Sequence, residues 1–139
     1  LVEAVSATRR LIDRQPPTLS QAIVTDFMES GQFAAHIRRR RMAYKAQRDA
    51  LAGALERRLG GLLELDVPDQ GMHMMAYLRD GRSDVEVEAL AAARGVTARA
   101  ISPLYHARPP RSGLMLGFTG FPARAMDPGV ARLAEALGA

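Results

Sequence analysis

The hydrophobic period of this chain changes at Gly60–Gly61. Ahead of that pair, Ile37, Tyr44 and Leu51 recur every seven residues, and Leu55 and Leu59 extend the stripe. That spacing predicts one long amphipathic helix over about residues 33–59. Behind the pair, Leu63, Leu65 and Val67 alternate with Glu64 and Asp66, the period of a half-buried strand. The two patterns predict a helix layer lying on a sheet.

The rest of the chain extends that plan. Residues 1–14 carry Val2, Val5, Leu11 and Ile12 at helical spacing, and the QPP of 15–17 ends the pattern. Thr18 or Ser20 is placed to cap a second helix that runs to about Ser30, with Gly31 beyond it. GMHMMAYL (71–78) reads as a second, more central strand. Asp84 is placed to cap a short helix over 85–94, and residues 96–101 form a third strand. HARPPRSG (106–113) is a loop, LMLGFTG (114–120) a fourth strand, and Asp127 or Pro128 opens a final helix through Leu137. The expected class is α+β: a small, mostly antiparallel four-stranded sheet covered by helices and preceded by two helices. Residues 1–31 stand as connecting helices and 32–139 as the folded unit.

Composition narrows function mainly by exclusion. The absence of cysteine removes disulfides, thiolate metal sites and cysteine nucleophiles, and suits a cytoplasmic protein. His36, His73 and His106 lack ligand spacing, so no metal site is expected. The net charge of +4 comes from 18 arginines and one lysine, Lys45, a coding-bias signature more than a nucleic-acid one. No apolar run approaches the roughly 20 residues of a spanning helix, so no membrane partner is expected. The N-terminus lacks a signal-peptide pattern and starts inside a helical period, as a piece of a longer protein would.

Few residues suggest chemistry. The run HIRRRR (36–41) is basic, but successive helical positions turn by about 100°, so consecutive arginines do not form one patch. His73 sits alone in a strand, and no carboxylate pair, serine elbow or phosphate loop accompanies it. Arg99 differs by position: on a strand it shares a face with Thr97 and Ile101. If half-buried it needs a partner, for which a carboxylate is suited. If on an edge strand, it rests in water or on an acid of this chain.

Several segments, in order, resemble the C-terminal part of fold-type I aminotransferases, and more closely the aminotransferase-like domain of MocR-type regulators of the GntR superfamily. They are PTLSQAIVTDFMESGQFAAHIRRRRMAYKAQRDAL (17–51), GMHMMAYL (71–78), ARGVTARAISPLY (93–105), GLMLGFTGFP (113–122) and GVARLAEAL (129–137). Gln21, Gly31, His36, Tyr44 and Arg48 fall where that pattern places them.

The resemblance implies the C-terminal small subdomain of a pyridoxal phosphate (PLP) protein. The longer protein would carry a large PLP-binding domain, a winged-helix domain that contacts DNA, and a homodimer interface. The lysine that anchors PLP would lie before this segment, so Lys45 is not assigned that role. This chain alone is expected neither to hold PLP covalently nor to transaminate. In transaminases a late-strand arginine holds the substrate carboxylate; here that place is Met115. In MocR-like regulators that bind an amino-acid effector, the preceding strand supplies it, which assigns Arg99. Two rivals stand: the same subdomain of a true aminotransferase, and a small binding or scaffolding domain unrelated to PLP.

Overall fold

The computed structural model describes residues 1–13, 16–107 and 111–139. The break at Gln15 and the Pro109–Pro110 part of the predicted loop lie outside the described residues. Helices α1 (Val2–Asp13), α2 (Thr18–Glu29) and α3 (Gln32–Leu59) precede strands β1 (Leu63–Asp66) and β2 (His73–Leu78). Helix α4 (Asp84–Ala92), strands β3 (Arg99–Ala100) and β4 (Gly113–Gly117), and helix α5 (Met126–Leu137) complete the order. The chain forms two units, residues 1–40 and 41–139.

In the second unit the four strands pair antiparallel in the order β1-β2-β4-β3. Alternation sends Leu63, Met74, Ala76, Leu78, Leu114 and Leu116 to one face, where all are buried. Leu51, Leu55 and Leu59 of α3 pack there with Val87 and Ala91 of α4 and Val130, Leu133 and Leu137 of α5. All three helices therefore cover a single sheet face. Helix α3 buries side chains only along its final turns, from Leu51 onward. Asp127 ties α5 to α3 by accepting from Arg57 and Arg58. The hydrogen bonds from Arg58 and then Arg57 hold its carboxyl below the ordinary value.

The first unit is different. Helix α2 has no buried residue, and Val2, Val5, Leu11, Leu19, Ile23 and Met28 are exposed. Phe27 meets the ring of Phe33 edge-on at 6.0 Å and that of His36 at 6.5 Å.

Three helix and strand ends depart from the sequence expectation. Helix α2 is capped by Pro17 without a side-chain bond, and Thr18 is already helical. At α4 the cap is Ser83, whose Oγ accepts from the Glu86 N–H at 3.4 Å; Asp84 is the first helical residue and turns inward. Ser83→Ala is expected to cost about 1 kcal/mol, visible as a lower urea midpoint at unchanged m-value. Strand β3 is two residues long: residues 96–98 do not pair as strand, and at the other end Ile101 takes helical angles, φ −91° and ψ −24°, and leads into a 3₁₀ turn at Ser102–Leu104. Ile101 keeps the outer face it was expected to share with Arg99: its Cδ1 lies beside Gly113 and Tyr77, and it is buried there while Arg99 is exposed.

Candidate functional site

The sheet face away from the helices carries the polar side chains. The pairing register sets Asp66, Met75, Met115 and Arg99 in one row across the four strands. Met75 and Met115 are half-buried; Asp66 and Arg99 are exposed. The neighbouring row pairs Glu64 with Tyr77 and Tyr77 with Gly113. That end is occupied: Arg111 bonds both Glu64 oxygens, at 3.0 and 2.7 Å, and its guanidinium lies 4.2 Å from the centre of the Tyr77 ring. The bond from Arg111 lowers the Glu64 carboxyl below its usual value against the opposing effect of burial.

The other end of the face is open. His73 pairs with Gly117, and its ring lies against the bare Cα: a Cβ there would stand 3.4 Å from Cδ2. Next to it come Met115 and Arg99, which are direct cross-strand partners. Arg99 makes no ion pair among the described residues. An unpaired guanidinium beside two thioethers offers a planar pair of donors to a carboxylate.

The backbone under Arg99 is held from α4. Asp84, 1% exposed, accepts from the Ser102 N–H at 2.9 Å, the Ser102 hydroxyl at 2.5 Å and the Gly113 N–H at 3.1 Å. One turn on, Glu88 accepts from the Ala100 N–H at 2.9 Å. Burial pushes the Asp84 carboxyl up, but the bonds from the Ser102 side chain and from the Gly113 and Ser102 N–H groups prevail and hold it below its ordinary value. Sequence reading took Asp84 for the cap, because a Ser-Asp pair at a helix start looks like one whichever of the two turns inward, and it passed over Glu88.

The remaining candidates lie elsewhere. Lys45 lines a groove of about 800 Å³ with Arg41, Tyr44 and Arg48 of α3 and residues 68–72. Arg48 ties helix to loop by donating to the Pro68 carbonyl at 3.1 Å, and it is held by Asp49 beside it on α3 at 2.8 Å. His36 is in the first unit and His106 is exposed; the described residues contain no cluster able to hold a metal ion. No helix among them is long and apolar enough to cross a membrane.

No family model matches the chain. The rhizopine catabolism regulatory protein MocR of Rhizobium meliloti is 31% identical over 122 residues, 88% of this chain and 25% of that protein. The HTH-type transcriptional regulator YhdI of Bacillus subtilis is 28% identical over 136 residues, 98% of this chain and 29% of its own length. Among solved structures, the multiple substrate aminotransferase of Thermococcus profundus superposes with a TM-score of 0.83 at 30% identity, covering 95% of this chain and 33% of that one. The chain thus spans about a quarter to a third of the proteins it matches. Regulators of one type over nearly the whole chain, with an aminotransferase fold beneath them, identify it as a C-terminal aminotransferase-like segment of the MocR family of transcriptional regulators.

Proposed function

We propose that this chain closes over the effector site of a MocR-type regulator and presents Arg99 to the carboxylate of an amino-acid effector. The observation that supports this most is the pairing of Arg99 with Met115 on an uncovered sheet face. Met115 occupies the place where the resemblance to transaminases puts the carboxylate-binding arginine. One strand over, a guanidinium reaches the same space.

In this reading residues 1–31 are connecting helices from a large PLP-binding domain and residues 32–139 are the small subdomain. The exposed apolar side chains of α1 and α2 agree with that role. The full-length regulator is a cytoplasmic homodimer that contacts DNA through a winged-helix domain. Pyridoxal phosphate supplies an electrophilic carbon for the effector's amino group. The open face of this chain fits the other end of such a ligand: its donors are a guanidinium and an imidazole, with no amine among the paired residues. Lys45 lines the α3 groove and is given no anchoring role.

The test uses the full-length regulator and two stable probes, N-(5′-phosphopyridoxyl)-L-alanine and its decarboxylated counterpart, N-(5′-phosphopyridoxyl)-ethylamine. Arg99→Ala is expected to weaken the alanine probe by about 1–3 kcal/mol, the worth of a charge-assisted bond, and to leave the ethylamine probe unchanged. Calorimetric titration reads both. Equal affinity of variant and wild type for the alanine probe removes Arg99 from the site.

A further inference from the structure

An edge strand presents alternate N–H groups to whatever lies outside the sheet. In β3 the Ile101 N–H points inward, to the Gly113 carbonyl at 3.1 Å. The N–H groups of Ala100 and Ser102 turn away from β4. Both are taken by carboxylates of α4: Ala100 by Glu88 and Ser102 by Asp84. Residues four apart on a helix stand one turn above each other, about 6 Å along the axis. Acids at i and i+4 of α4 thus take the two N–H groups that a fifth strand would otherwise meet.

Arg99 immediately precedes the first of these anchored residues. Its backbone is fixed on the inner side by β4, through the pairing with Met115, and on the outer side one residue away by Glu88. Asp84 also takes the Gly113 N–H, so the same carboxylate holds the end of β3 against the start of β4. Asp84 is buried and Glu88 half-buried, and each carboxylate is engaged with backbone N–H groups.

We infer that Asp84 and Glu88 are positioning residues for Arg99: the α4 carboxylates set where its guanidinium meets the effector carboxylate without touching the effector. This rests on the reading of Arg99 given above. Glu88 is the cleaner handle, because it holds a single N–H and its removal leaves the Asp84 cluster intact. In the full-length regulator, Glu88→Ala is expected to weaken N-(5′-phosphopyridoxyl)-L-alanine about fivefold, the loss from a guanidinium displaced but not deleted. Binding of N-(5′-phosphopyridoxyl)-ethylamine stays the same. Glu88→Gln, whose amide oxygen still accepts from Ala100, restores the alanine probe.

A general structural defect would lower both probes together, and that result overturns the inference. So does Glu88→Ala with wild-type affinity for the alanine probe while Arg99→Ala is impaired; positioning then fails and the Arg99 contact survives. If Arg99→Ala itself binds the alanine probe normally, the contact falls and the positioning role with it.

Discussion

Asp84→Ala is expected to lower the unfolding free energy of the second unit by about 3–5 kcal/mol, the scale for breaking a buried hydrogen-bond network. The substitution leaves the N–H groups of Ser102 and Gly113 and the Ser102 hydroxyl without an acceptor at a site 1% exposed. Each unsatisfied buried donor costs about 1–3 kcal/mol, and the three are not additive because they share one carboxylate. Against a total stability of about 5–15 kcal/mol for a typical domain, that is a large share. The same bonds set a pH dependence. The folded carboxyl lies below its ordinary value of 3.8. A depressed folded pKa contributes stability that is full above the unfolded value and disappears as pH falls through the folded one. Urea midpoints measured from pH 7 to pH 3 are therefore expected to converge for wild type and Asp84→Asn below about pH 4. A gap that stays constant across that range would remove the carboxylate charge from the account.

The helix-to-sheet change was legible because it is local. Gly60 and Gly61 interrupt one period and Leu63 and Leu65 begin another, and no distant contact is needed to see it. The end of β3 was not legible. Ala98, Ala100 and Ile101 are all small or apolar; Pro103 opens a 3₁₀ turn there, and the anchoring of Ser102 to Asp84, 18 positions away, has no local signature. Asp84 was misread for a related reason: Ser83 and Asp84 are equally good caps by composition, and the choice is made by donors on Ser102 and Gly113. Arg99 stood out by residue type and Met115 by the resemblance, but their adjacency did not show. That Met115 lies directly across from it follows from strand order β1-β2-β4-β3 and from register, which are tertiary properties. The row Asp66, Met75, Met115 and Arg99 draws on positions 66 to 115 and has no signature along the chain.

The pairing of Arg99 with Met115 makes the proposed contact transplantable. Directly opposed residues in a hydrogen-bonded antiparallel pair have Cα atoms about 5.5 Å apart, and an arginine side chain spans more than that. In the full-length regulator, Arg99→Met alone is expected to lose about 10- to 100-fold in affinity for N-(5′-phosphopyridoxyl)-L-alanine, equivalent to about 1–3 kcal/mol. Adding Met115→Arg exchanges the two side chains without changing the composition of the face. The new arginine lays its aliphatic stem beside Met75 and carries its charged end into the space left by Arg99. The exchange is expected to recover affinity to within about tenfold of wild type, while the ethylamine probe follows none of these changes. Met115→Arg alone sets two guanidinium groups side by side and is expected to bind the alanine probe no better than wild type. If the exchanged protein folds with an unaltered melting temperature yet binds the alanine probe as poorly as Arg99→Met, carboxylate recognition does not reside on this sheet face.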